Sequence, residues 1–427
     1  MFIPSLASLL CLATSALASS GADSGWLRGL EKRQTCSVKA LGGGKDDGPN
    51  ILKAFKKCSS NSVIELAESY TVGTLLTAQL QNVEISLTGT IQYTNNISYW
   101  SPNSLYLTYQ NATTFFFLSG KNIYLHGGGT IDGNGQLWWN TYATSKNAGV
   151  AGGSSTTFAR PIPLTVGNAT NVVVDNITIK QSPFWHNFLY QSSNVVYSRL
   201  KLSSVSNNAS IATANSDGID IYRSNDVLIS GWTVNNDDDC VSFKPNSTNI
   251  IVNNMNCNGS HGISVGSLGQ YAGETDIVSN IYVNDIVMAN AQNGARIKVF
   301  PGNPNAGSVS GGGSGYVKNI TFENFKVQNV DYPILIDQCY NVENATFCAE
   351  YPSKLSISDV HYINVHGTSS GKNNNTVAQL ECSALCQDIT AKQTKLTPPA
   401  NYTSAQYLCR NIASTSSLDF NCTAPPS

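Results

Sequence analysis

From about residue 80 the chain repeats one pattern: an Asn or Asp, a short run of alternating β-branched residues, a turn, then a second short run. It is seen in "NVEISLTGTIQY", "NIYLHGGGTIDGNG", "NVVVDNITIK", "NVVYSRLKLSS", "DVLISGWTVNN", "NIIVNNMNCNG", "NIYVNDIVMAN" and "NITFENFKVQNV", which open at Asn82, Asn122, Asn171, Asn194, Asp226, Asn249, Asn280 and Asn319. The period is irregular, roughly 20–40 residues, as in solenoids. Alternation of period two dominates and helical periodicity is scarce. Short strands stacked on like neighbours predict a parallel β-helix, with coils about 4.8 Å apart and corner Asn side chains in ladders. A β-propeller is the runner-up, but its four-stranded antiparallel blades need more hairpin signals than this repeat holds. "DDGPNILKAFKKCSS" predicts a short amphipathic helix with Ile51, Leu52, Ala54 and Phe55 on one face, capping the N-terminal end of the solenoid. The stretch from Thr397 to Ser427 is expected to cap the other end. The fold class is therefore all-β, one solenoid domain over 34–427. Two Gly/Ser-rich insertions, around Gly149 and from Pro301 through Gly311, are expected as surface loops on the binding face.

Composition narrows the classes of function. Charged residues make up 12% of the 427 residues, against about 25% in ordinary globular chains. With a formal net charge of −2, no broad field favours nucleic acid or an anionic membrane. Residues 1–18 read as a signal peptide ending at Ala16-Leu17-Ala18, although no Lys or Arg precedes the apolar run. The alternative, a membrane anchor, needs a longer run. Residues 19–33 read as a pro-segment closed by Lys32-Arg33, leaving Gln34 as the mature terminus. Of the 11 cysteines, Cys11 leaves with the signal, and the even remainder fits an oxidising compartment. Nearest-neighbour pairing gives Cys36–Cys58, Cys240–Cys257, Cys339–Cys348, Cys382–Cys386 and Cys409–Cys422, a connectivity that spacing alone leaves open. Sequons at Asn96, Asn111, Asn168, Asn176, Asn208, Asn246, Asn258, Asn319, Asn344, Asn374, Asn401 and Asn421 mark expected glycan sites on a secreted chain.

The candidate chemistry follows the repeat. Asp217 precedes Asp238 and Asp239 by 21 and 22 residues, and His261 follows Asp239 by 22. A coil of that length puts all four on one face. Arg296 and Lys298 in "ARIKVF" come one longer coil later and point the same way, and Tyr340 in "IDQCY" belongs to the next. Taken singly these residues have bland readings. Asp237–Asp239 reads equally as a solvated turn or a weak Ca²⁺ site, His261 as structural, the two cations as exposed strand residues and Tyr340 as packing. Together they match hydrolysis of a glycosidic bond in an acidic sugar. One carboxyl, kept protonated by the repulsion of its neighbours, gives the leaving oxygen its proton, and another carboxylate acts near the anomeric carbon. If water attacks directly, the two groups are expected about 6.5–9.5 Å apart. Arg296 and Lys298 would hold substrate carboxylates.

Four motifs carry a resemblance: Asn215-Ser216-Asp217, Asp238-Asp239-Cys240, Ser260-His261-Gly262 and Arg296-Ile297-Lys298. On these, and on "VKALGGGKDDGPNILKAFKKC", "GTIDGNGQLWWN" and "NSDGIDIY", the chain from about Cys36 to Cys422 resembles the polygalacturonases of glycoside hydrolase family 28, most of all the secreted fungal exo-acting ones. The resemblance implies a right-handed parallel β-helix and an inverting reaction without metal or cofactor. It implies Asp238 as general acid, Asp217 and Asp239 as activators of water, and His261 as support for the acid. It also implies that Arg296, Lys298 and Tyr340 contact galacturonate. Ser216 replaces the commoner Thr, and Asp237 stands where Gln or Gly is frequent. Exo action requires a cleft blocked at one end, and the two insertions are expected to block it. Trp185 and His186 in "SPFWHN" are expected to line the terminal pocket, and Arg160 to meet a carboxylate. The expected partner is polygalacturonate or pectin oligosaccharide, with no nucleic acid or membrane, and the chain is expected to be an extracellular monomer. Endo-polygalacturonase and xylogalacturonan hydrolase are alternatives within this chemistry. Pectate lyase and a non-catalytic pectin-binding wall protein are alternatives outside it.

Overall fold

The structure is a computed structural model that describes residues 33–147, 159–342 and 345–425. The expected signal peptide, almost all of the expected pro-segment, the core of the Gly149 insertion and the sequon at Asn344 lie outside these residues. Twenty-five strands join one continuous sheet, and all of its registered pairings are parallel, each strand pairing with its equivalent on the coil above and below. The result is a parallel β-helix wound right-handed, the hand that strand twist favours for parallel crossovers. Ile, Val, Leu and Phe from every coil stack into a single dry core.

The corner residues explain the repeat. Asn82, Asn122, Asn171, Asn194, Asp226, Asn249, Asn280 and Asn319 all have φ between 54° and 59°, the left-handed region that Asn and Asp enter at least cost. Their side chains bond coil to coil: Asn122 to Asn82 at 2.7 Å, Asn171 to Asn122 at 2.8 Å, Asn280 to Asn249 at 2.8 Å and Asn319 to Asn280 at 2.9 Å. Two further ladders run through Asn253, Asn284, Asn324 and Asn364 and through Asn235, Asn258, Asn290 and Asn329. Asn280→Ala removes two rungs and strains the corner. It is expected to cost roughly 2–5 kcal/mol, from about 1–2 for left-handed backbone and about 0.5–1.5 for each of the two hydrogen bonds. Urea unfolding measures it, and Asn280→Gly should recover the backbone part.

The predicted capping helix spans Gly48–Lys57 and buries Ile51, Ala54 and Phe55, with Phe55 stacked on Phe116 at 5.4 Å. Leu52 is only half-buried. At the other end, strand Gln406–Ile412 adds a last partial coil, closed by Tyr407 stacked on Phe420 at 4.2 Å. All five nearest-neighbour disulfides are formed. Helices Ile97–Asn103, Gln136–Asn147 and Ala345–Glu350 were not expected. They lie in segments between coils, where no repeat constrains the chain. Among the sequons, Asn246 and Asn258 are half-buried, and the other described ones are exposed.

Candidate active site

One face of the solenoid forms the floor of the site. It is built from strands Asn187–Tyr190, Ile219–Tyr222, Val241–Phe243, Ile263–Leu268, Asn293–Val299 and Tyr332–Asp337, stacked in that order. Ile219, Ile221, Val241, Phe243, Ile263, Val265, Ala295 and Ile297 point into the core. Alternation then turns Asp220, Ser242, Ser264 and Arg296 outward in one row, each in register with the next. Lys298 pairs with Gly266 and Asp337 in the row beside it. The residues just before these strands carry the acids. Gly218 donates its N–H to the Asp239 carbonyl at 2.9 Å, and His261 donates its own to the Asp238 carbonyl at 2.9 Å. Coil stacking thus brings Asp217, Asp238, Asp239, His261, Arg296 and Lys298 to one place.

The closest oxygens of Asp217, Asp238 and Asp239 all lie within 4.8 Å of one another. These are separations between single oxygens; Asp238 and Asp239 are chain neighbours, and Asp217 stands one coil away, about 4.8 Å along the axis. Asp239 is buried and engaged through both oxygens: Ser264 Oγ donates to Oδ1 at 2.6 Å and Lys298 Nζ to Oδ2 at 2.5 Å, with Arg296 at 3.9 Å. Lys298 is 5% exposed and spent on this pair, which corrects the expectation that it stands free for a substrate carboxylate. Arg296 keeps a buried Nε–H with no partner and lies 5.4 Å from the half-exposed Tyr340 ring. Lys298 Nζ lies 5.6 Å from the same ring, so Tyr340 stands over both cations.

The charges are distributed unevenly. Burial pushes the Asp217 carboxyl well above its usual range, and the neighbouring Asp238, Asp220 and Asp239 push it further. Burial also acts upward on Asp238, but the His261 hydrogen bond and charge, with Lys298, outweigh it and hold Asp238 below the usual range. His261 Nδ1 stands 3.1 Å from Asp238 Oδ1; burial lowers its pKa, yet the Asp238 bond and charge raise it overall. Burial and like charges thus act to keep a proton on Asp217, while the His261 and Lys298 charges favour the ionised form of Asp238. The three carboxyls are close enough to titrate as one unit, and repulsion alone did not show which member keeps the proton.

Three expected substrate contacts are corrected. His186 is fully buried: its Nδ1 faces the Asp217 carbonyl at 3.1 Å and its Nε2 faces Ser204 Oγ at 2.9 Å. Burial pushes its pKa down to about 4, so it is neutral and holds the Asp217 backbone. Trp185 is also buried, stacked on Phe184 at 4.6 Å. Arg160 is buried and donates to the carbonyls of Pro183 and Ala214 at 3.2 and 2.8 Å and to Asn215 Oδ1 at 2.7 Å. That last bond turns the Asn215 amide so that its Nδ2 reaches Asp238 Oδ2 at 3.3 Å. All three residues are support, and an aromatic, a His and an Arg near a binding motif carry no signal that separates support from contact.

Other residues were missed. Ser264 on Asp239 is legible in retrospect, since it lies on the outward row. A second buried pair, Lys244 Nζ to Asp220 Oδ2 at 3.2 Å, sits beside Asp217, and burial raises the Asp220 pKa to about 6. The two departures from the family pattern meet: Ser216 Oγ donates to Asp237, and the Asp237 N–H donates back at 3.0 Å.

A stacked-coil floor with an acid cluster and fixed cations defines a glycoside hydrolase. The profile described as Glycosyl hydrolases family 28 matches residues 59–418, and the chain belongs to that family. Among its relatives are a probable exopolygalacturonase X of Aspergillus fumigatus, 44% identical over 92% of this chain and 89% of the relative, and an exopolygalacturonase of Cochliobolus carbonum, 44% identical over 92% and 86%. Among solved structures, the endo-xylogalacturonan hydrolase of Aspergillus tubingensis superposes with a TM-score of 0.81 at 31% identity, covering 92% of this chain and 100% of that one.

Proposed function

We propose that the protein is a secreted exo-polygalacturonase that hydrolyses α-1,4-linked galacturonan from the non-reducing end, releases galacturonic acid and inverts the anomeric centre. The observation that carries this is the carboxyl cluster set beside Arg296 and Tyr340: acid chemistry next to a fixed cation suits an anionic sugar. Relatives at 44% identity described as exopolygalacturonases support the same substrate. Asp238 donates the proton once an anionic sugar offsets the positive charge of Arg296, Lys298 and His261, which frees its pKa to rise. Asp217 and Asp239 hold the attacking water. Asp239 is a poor covalent nucleophile because both of its oxygens are already bonded. This favours attack by water although the carboxyl groups are close. The signal peptide (1–18), the pro-segment (19–33), the glycans and a monomeric state belong to the same reading, and the disulfides fit an oxidising compartment.

Time-resolved proton NMR on polygalacturonate at a few per cent hydrolysis tests the proposal. The expected first product is monomer alone in the β-anomeric form. An α-anomer would replace direct water attack by a covalent intermediate. The likeness to an endo-xylogalacturonan hydrolase supports a second reading, cleavage within a xylose-bearing polymer. A higher rate on xylogalacturonan than on the linear polymer would favour it.

A further inference from the structure

The floor is covered at its N-terminal end. Leu105–Tyr106 and Thr113–Thr114 form a hairpin, backed by Pro161–Ile162. Its tip, 107–112, is closed by the Leu107 N–H to the Ala112 carbonyl at 2.8 Å. Gln110 and Asn111 have φ of 47° and 54° and turn the tip over the outward faces of strands Asn187–Tyr190 and Ile219–Tyr222. Tyr109 stacks on Tyr222 at 4.1 Å and lies 6.3 Å from Phe188, and Thr108 Oγ1 lies 3.1 Å from the Tyr190 hydroxyl. Gln110 Nε2 then donates to Gln270 Oε1 at 2.9 Å, joining the tip to the loop that follows strand Ile263–Leu268. That loop is tied in turn to the Gly311 insertion, through the Gly311 N–H to the Gln270 carbonyl at 2.7 Å and the Ala272 N–H to the Ser308 carbonyl at 2.9 Å.

These contacts make one barrier, and it begins on the coil that carries Asp217, because Tyr222 lies on the strand that follows that acid. A polymer running along the floor towards this end meets the stacked rings of Tyr109, Tyr222 and Tyr190 on the coil that carries Asp217 and the one before it, so little open floor is left beyond the reacting coil. We propose that the tip 107–112, latched by Gln110 to Gln270, is the stop that admits only a chain end and limits the product to one sugar. The inference rests on the exo reading above and assigns the stop to a hairpin that neither insertion contains.

The test compares wild type, Gln110→Ala, Tyr109→Phe and the double variant Tyr109→Ala/Gln270→Ala on polygalacturonate, reading product lengths and the viscosity lost per reducing end released. Wild type and Tyr109→Phe, which keeps the ring stack, should release monomer only. The double variant should release oligomers and lower viscosity several-fold more per bond cut, with Gln110→Ala between them. A double variant that melts like wild type yet releases only monomer overturns the stop. If it fails to fold, Gln110→Ala, which removes only the latch, decides by the same readout, and monomer alone from it overturns the stop. Oligomers from wild type itself would remove the exo reading, and the stop with it.

Discussion

Asp238→Asn is expected to lower kcat on polygalacturonate by roughly 10²–10⁴-fold, the range for loss of a general acid, while the Kd for galacturonate oligomers stays level or falls. The direction of the binding change follows from charge, since the variant removes one negative group from a site that receives an anion. His261, 3.1 Å from Asp238, then loses the partner that raises its pKa, so the His261 titration should move down. In wild type that ion pair is whole below the ordinary His pKa of about 6.5 and is lost as pH rises through the raised value. Asp217→Asn is the companion variant, because burial and the neighbouring carboxylates push the Asp217 carboxyl well above its usual range. If Asp238→Asn turns over at near wild-type rate while Asp217→Asn does not, the proton donor is Asp217 and the acid role proposed for Asp238 is wrong.

The solenoid was legible because it repeats: each coil places Asn or Asp at the same left-handed corner, so Asn249, Asn280 and Asn319 state the fold several times over. The outward positions of Arg296 and Lys298 followed from strand alternation. What those side chains touch did not. Lys298 packs closely over Gly266, where a Cβ would run into its carbonyl oxygen and meet its Cγ at 3.2 Å, and its pairing with Asp239 on a distant coil leaves no mark in a local pattern. Arg160 and His186 misled for a related reason: burial decides between support and contact, and their burial comes from Tyr142, Phe184 and Ser204. The hairpin tip 107–112 interrupts the repeat with neither a Gly-rich signal nor a long insertion, so no local pattern marks it.

Lys298→Ala is expected to act on stability and turnover more than on substrate affinity. The ammonium lies 2.5 Å from Asp239 Oδ2, and both groups are buried. Removing one partner of such a pair costs about 3–5 kcal/mol while the other stays charged. In wild type, burial raises the Asp239 pKa, but Lys298 and Arg296 outweigh it and hold the carboxyl low. The pair therefore contributes stability above the unfolded Asp value of about 3.9, lost only as pH falls through the lower folded value. Without Lys298, burial and the charge of Asp238 act with only Arg296 at 3.9 Å and Lys244 opposing them, and the Asp239 pKa rises. The loss of stability should then be large at pH 7 and smaller near pH 4, where Asp239 is neutral in the folded variant and about half protonated in the unfolded chain. A protonated Asp239 no longer takes a proton from water, so the acid limb of the kcat profile should move to higher pH while KM changes less than kcat. Urea unfolding at the two pH values, with the kcat profile, measures both effects. A variant that unfolds like wild type, keeps its acid limb and shows only a salt-dependent rise in KM would return Lys298 to direct contact with the substrate carboxylate, and Asp239 would then need another explanation for its charge.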